Sequence, residues 1–112
     1  MQILDLGKYF GPWEELILKG KNNITVEGSK HIAEFLKVNY SLEKLYLNWN
    51  RLGNEGIANI AKKLADTAKT NVRVLEVNFN LIENIGAYHL SEMLKENVSL
   101  THINLSLNEI GT

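Results

Sequence analysis

The sequence predicts an α/β fold, a right-handed solenoid with a curved parallel sheet on its concave side and helices on its convex side. Two observations predict it. The stretch LYLNWNRLG from Leu45 returns as LEVNFNLIE from Leu75 and as INLSLNEIG from Ile103. In each copy the leading apolar residues alternate at period two, as in a half-buried strand, and those that follow recur at helical spacing. A unit of this kind cannot bury its apolar face alone and has to stack on its neighbours. A strand, a helix and a second strand parallel to the first make a right-handed crossover, so the strands are expected in one sheet with the helices on its outer side.

The units follow in order along the chain. Residues 1–12 hold Ile3, Leu4 and Leu6 ahead of the Gly11-Pro12 break, and they are expected to form a cap or a short extra strand over the first unit. Units then start near 13, 42, 72 and 100, the last of them incomplete, which gives about three and a half repeats over residues 13–112. Leu45, Leu47, Asn50, Leu52, Gly56, Ile60 and Leu64 align with Leu75, Val77, Asn80, Ile82, Gly86, Leu90 and Leu94 at one offset of 30 without a gap. Leu16 and Leu18 match Leu45 and Leu47 at 29, whereas Asn22, Ile24, Gly28, Ile32 and Leu36 match at 28, so one extra residue lies in the Lys19-Gly20-Lys21 bend. A local bulge is expected there. Leu100, Ile103, Leu105, Asn108 and Ile110 match unit three at 28.

Each position has a physical reason. Ile32, Ala33 and Leu36, then Ile60, Ala61 and Leu64, then Leu90, Met93 and Leu94 mark the inward helix faces. Asn22, Asn50, Asn80 and Asn108 fall where each strand ends and the chain bends inward, leaving backbone groups that no ladder satisfies. Stacked amide side chains, carrying both donors and an acceptor, would form an internal spine there. Gly28, Gly56 and Gly86 stand at the helix starts, where a missing Cβ allows either close approach or positive φ. Asn54, Asn84 and Thr25 are expected to cap those helices, and Ala65 to Asn71 to form a longer loop.

The pattern L-x-x-L-x-L-x-x-N-x-I/L-x-x-x-G-x-x-x-I/L-x-x-x-L at 28 to 30 residues resembles the leucine-rich repeat of the ribonuclease-inhibitor type, over Trp13 to Thr112. The resemblance implies the horseshoe-like solenoid and, for function, a protein-binding module that uses its concave strand face and adjacent loops. One branch of the family regulates a small GTPase, a role implied by analogy alone.

Composition narrows the rest. The 112 residues carry 12 basic and 13 acidic side chains for a net charge of -1, without a long run of like charge, so neither nucleic acid nor a membrane surface is an expected partner. With no cysteine, thiolate metal sites and cysteine nucleophiles are excluded. No segment has the roughly 18 uninterrupted apolar residues of a membrane span, and a cytoplasmic protein is expected. His31 and His89 share a repeat position but stand two helices apart, roughly 20 Å at about 10 Å per helix, too far to share a metal. No catalytic residue, metal or cofactor is expected: Ser106 and Glu76, the strand-face candidates for a triad with His102, are placed by the repeat and not by a nucleophile turn, and neither a G-x-S-x-G stretch nor a phosphate-binding glycine loop occurs.

The strand positions facing away from the helices are where the fold leaves residue type free. They read Glu15, Ile17 and Lys19, then Lys44, Tyr46 and Asn48, then Val74, Glu76 and Asn78, then His102, Asn104 and Ser106. Beside them runs the apolar row Trp49, Phe79 and Leu107, either a ladder along the sheet rim or an exposed strip bordering a binding face. Lys44, Tyr46, Asn48, Trp49, Val74, Glu76, Asn78, Phe79, His102 and Asn104 are the candidate partner contacts, with Tyr46 and Trp49 as anchors. The last strand leaves an open edge, which fits either a piece of a longer array or a homo-oligomer paired edge to edge.

Overall fold

The computed structural model describes residues 15–17, 24–38, 42–66 and 70–111. The expected cap over 1–12, the bulge at Gly20, Asn22 and the middle of the Ala65–Asn71 loop lie outside them. Among the described residues four three-residue strands alternate with three helices: β1 Glu15–Ile17, α1 Val26–Val38, β2 Lys44–Tyr46, α2 Gly53–Leu64, β3 Val74–Glu76, α3 Asn84–Glu96 and β4 His102–Asn104. The strands form one sheet in chain order, and every neighbouring pair is parallel.

Register reproduces the spacing of the sequence. Leu16 pairs with Leu45, Leu45 with Leu75 and Leu75 with Ile103, so the offsets of 29, 30 and 28 read from the repeat are the strand register itself. A slip of one residue would turn each leucine out of the core, which is why the period-two pattern fixes the pairing. Leu45 and Leu75 point to the helices and are fully buried, while Lys44 and Tyr46 on either side of Leu45 face the other way. Each helix packs against the next. Leu45, Leu47, Leu75 and Val77 share a single core with Ile32, Phe35, Leu36, Ile57, Ile60, Leu64, Leu90 and Met93. Each such Leu or Ile contributes about 1.5–3 kcal/mol on burial.

One expected inward residue differs. Leu36 and Leu64 are buried, but Leu94 at the same repeat position is exposed, and so is Ile110 where Leu52 and Ile82 are buried. The reason is stacking: the buried members each lie under the following unit, and Leu94 and Ile110 have no described unit over them.

Two expectations about the helix starts are resolved by contacts. Gly56 and Gly86 do not take positive φ, which falls on Gly53 instead. They are sites of close approach. A Cβ on Gly86 would stand 2.7 Å from both Asn54 Oδ1 and Ile82 Cγ2, and one on Gly56 would stand 3.1 Å from Leu52 Cβ. Asn54 and Asn84 do not cap their own helices, whose caps Leu52 and Glu83 make no side-chain bond. Each serves the next unit instead. Asn54 Oδ1 accepts from Glu83 N at 2.8 Å and Gly86 N at 3.0 Å, and Asn84 Oδ1 accepts from Gly111 N at 2.9 Å. Being inside the first turn and aimed sideways, these amides reach the neighbouring turn more readily than their own.

The amides at the bend tie the units together. Asn50 Oδ1 accepts from Ile24 N at 3.0 Å, Asn80 Oδ1 from Leu52 N at 3.3 Å, and Asn108 Oδ1 from Ile82 N at 3.1 Å and Asn80 N at 2.7 Å. Their Nδ2 groups donate to the carbonyls of Leu47, Leu47 with Asn78, and Val77 with Leu105 respectively. Asn80 is fully buried. Asn80→Ala strands the Leu52 N–H and takes one of two donors from each of the Leu47 and Asn78 carbonyls, and it should cost about 2–3 kcal/mol in denaturant unfolding. A loss below about 0.5 kcal/mol would show that water replaces the amide.

Candidate functional site

The face away from the helices is built from the outer strand residues and the bends that follow them. Lys44 and His102 are exposed, Tyr46, Val74, Glu76, Asn78 and Asn104 half-buried, and Ser106 exposed. Of the first strand only the backbone pairing is described, so the expected Glu15, Ile17 and Lys19 contacts lie outside this description. Glu76 sits at the middle of the face, in register with Tyr46 on one side and Asn104 on the other. Its Oε1 accepts from Asn48 Nδ2 at 3.0 Å, and its Oε2 lies 3.4 Å from His102 Nε2, a pairing of charges only when the imidazole is protonated.

Asn48 belongs to the fold more than to the surface. It is buried, and its Oδ1 accepts from Asn78 N at 2.7 Å. The same role is unfilled one unit on. Asn78 Oδ1 is buried without a hydrogen-bond partner among the described residues, because Ser106 N donates to Asn104 Oδ1 at 3.1 Å. Asn104 Oδ1 also accepts from Ser106 Oγ at 2.7 Å. The Asn104 side chain is thus folded back along its own strand.

The apolar row has a property that the sequence does not announce. Trp49, Phe79 and Leu107 have φ of 62°, 52° and 58°, in the left-handed region. For a residue with a Cβ this costs roughly 1–2 kcal/mol, and Gly or Asn is the usual occupant. The conformation turns the chain at the end of each strand, so that the following Asn swings into the core, while Trp49 N and Phe79 N still donate to Asn78 O and Ser106 O. The three side chains are left outside: Trp49 is 54% exposed, Phe79 44% and Leu107 65%. Trp49 and Phe79 stack, with ring centroids 4.5 Å apart and planes at 23°. The row is therefore a ladder and an exposed strip at once.

His31 and His89 are half-buried helix residues, and His89 packs edge-on against Tyr88. Asn97 was missed as a structural residue. Its Nδ2 donates to Leu64 O, and its Oδ1 accepts from Ser99 N and Leu100 N, closing the turn into β4. No described helix is long and apolar enough to cross a membrane.

A short parallel strand, an inward amide and a packed helix, repeated in register, define a class of stacked strand-and-helix repeat protein. The Leucine Rich repeat family matches residues 38–61 and 96–112. Among curated relatives, NACHT, LRR and PYD domains-containing protein 13 of Homo sapiens is 33% identical over 90 residues, covering 80% of this chain and 8% of that protein. Ribonuclease inhibitor of Sus scrofa is 32% identical over 89 residues, covering 80% of this chain and 19% of the relative. The rat NACHT, LRR and PYD domains-containing protein 3 is 31% identical over 80 residues, 71% of this chain and 8% of its own length. The chain is a leucine-rich-repeat protein of the ribonuclease-inhibitor type.

The left-handed turn sets a stability test that separates the fold from the surface. Leu107→Asn should raise unfolding stability by about 0.5–1 kcal/mol, since Asn tolerates that conformation and the exposed leucine has little burial to lose. Leu107→Val should lower it, because β-branching worsens the clash. Denaturant melts of the two variants read the sign, and a loss in the Asn variant would mean that packing, not backbone, holds the position.

Proposed function

We propose that this chain is a non-enzymatic protein-binding module, a solenoid segment of about three and a half repeats that engages its partner through the concave strand face and the adjoining rim. The observation that carries this reading is the Trp49–Phe79 stack, exposed and held in a left-handed backbone. Neither burial nor backbone preference accounts for aromatic residues there, and recognition does. Tyr46 and Trp49 are the anchors, since aromatic side chains give large contact area at low entropic cost. Val74 and Phe79 extend the apolar contact, while Lys44, Glu76, Asn78, His102 and Asn104 set polarity around it, with Asn48 supporting Glu76 from below. The name of the pig relative, ribonuclease inhibitor, states a protein target for a protein of this type.

The test uses affinity capture by the wild-type chain, followed by titration of the captured protein. Tyr46→Ala combined with Trp49→Ala should weaken binding by about 2 kcal/mol or more, roughly thirtyfold. Unchanged affinity in a double variant with native circular dichroism would sink the concave-face reading.

A second reading rests on the exposure of Leu94 and Ile110, where earlier units are buried. Two copies could cover these faces by edge-to-edge association of β4. Sedimentation across a range of concentrations should then show a monomer–dimer shift that Leu94→Glu abolishes, and a monomer throughout would remove this reading.

A further inference from the structure

Repetition gives each surface position an internal reference. Positions 27, 55 and 85 are equivalent, as are 30, 58 and 88, and 51 and 81. Unit one places Glu27 and Lys30 there, an exposed ion pair at 3.2 Å, and unit two places Arg51, Glu55 and Ala58. Unit three instead has Leu81, Ile85 and Tyr88, which are 43%, 64% and 60% exposed. This is no consequence of an uncovered end. Glu27, Lys30, Arg51 and Glu55 belong to units with a described neighbour beyond them, and they are exposed as well. Packing therefore leaves the described members of these sets open to solvent, except for Ala58, which is half-buried, and only in unit three are all of them large and apolar.

Further observations bear on what lies against this surface. Leu81 has φ of 61°, a left-handed strain that Arg51 does not share, and exposure of its side chain offers nothing to offset it. Tyr88 packs edge-on against His89 at 5.8 Å. His89 lines a groove of about 490 Å³ between α2 and α3, with Ala58, Ala61 and Met93, bounded by Glu92 and Glu96 and faced by Lys62. Charge is biased too. Phe79 to Met93 carries Glu83 and Glu92 and no Lys or Arg, whereas the equivalent Trp49 to Lys63 carries Arg51, Lys62 and Lys63 against the single acid Glu55. Glu92 is paired with Lys95 at 3.0 Å.

We infer that Leu81, Ile85 and Tyr88, together with the neighbouring α2–α3 groove, form a second docking surface, distinct from the strand face, for an amphipathic helix with apolar residues along one side and Lys or Arg beside them. Ile85 and Tyr88 are three residues apart on one helix face and Leu81 stands four before Ile85, a stripe of the length that two turns of a partner helix cover. The acidic surround selects a basic flank and disfavours an acidic one.

The probe is a labelled synthetic Leu/Lys amphipathic helix, compared by fluorescence anisotropy with a Leu/Glu helix of the same leucine spacing. The wild-type chain should bind the Leu/Lys peptide at least about tenfold more tightly, and Leu81→Arg, Ile85→Glu and Tyr88→Ala together should abolish that preference by at least about tenfold. These replacements are the residues of unit two, so the repeat already accommodates them. Ile85→Lys alone, at an exposed helix position, gives an independent reading in the same direction. The Tyr46→Ala, Trp49→Ala double variant should bind the peptide as the wild type does, which separates this surface from the strand face. Equal affinity for the two peptides, undiminished binding by the unit-two swap, or loss confined to the Tyr46/Trp49 variant would each overturn the assignment.

Discussion

The structure depends on how the chain satisfies its backbone where each strand ends. Three-residue strands leave the bends outside the ladder, and a buried N–H without a partner costs on the order of 1–3 kcal/mol. Asn50, Asn80 and Asn108 meet that need for the preceding unit, accepting from Ile24, Leu52 and Ile82. Asn54 and Asn84 act in the opposite direction, accepting from Glu83, Gly86 and Gly111 of the following unit. Neighbouring units are thus clasped from both sides. The amide is the suitable group because it donates and accepts at once without carrying a charge into the core.

The same clasp creates the surface. To bring Asn50 or Asn80 inward, the residue before it turns left-handed, and that residue's side chain is thrown outward. A chain shaped by folding alone would place Gly or Asn there. Trp49 and Phe79 accept the strain, and their stacking at 4.5 Å recovers part of it, since an aromatic pair is worth about 0.5–1.5 kcal/mol beyond its buried area. Fold and exposed rim are therefore coupled at adjacent residues: Asn50 holds the bend and Trp49 is displayed by it.

Much of this was legible in the sequence for a physical reason. Parallel strands of stacked units pair residue for residue, so the repeat offset is the register, and offsets of 29, 30 and 28 needed no structure to find. What escaped were features set by the neighbour and not by the unit. Asn54 looked like a cap of its own helix because local spacing cannot show that its amide reaches Glu83 and Gly86. Leu94 looked like core because its unit's pattern does not reveal whether another unit lies over it. Asn48 looked like surface because alternation counts faces and does not detect a side chain turned along the sheet to Glu76. The left-handed turns left no trace at all, since Trp, Phe and Leu are the wrong residues to signal them.

That last failure bears on how repeats carry function. In a stacked array the fold dictates the leucines, the amides and the close-approach glycines in every unit, so these say nothing about a partner. Information resides in the departures: an aromatic where Gly or Asn would serve, and Leu81, Ile85 and Tyr88 where the other units are charged or small. The departures at the rim recur in three units and extend along the sheet, as a surface for a partner spanning several repeats would require. Those on α3 are confined to one unit, which matches a contact no larger than a helix. The two contacts proposed for them would thus use two different lengths of apolar surface laid on one periodic frame.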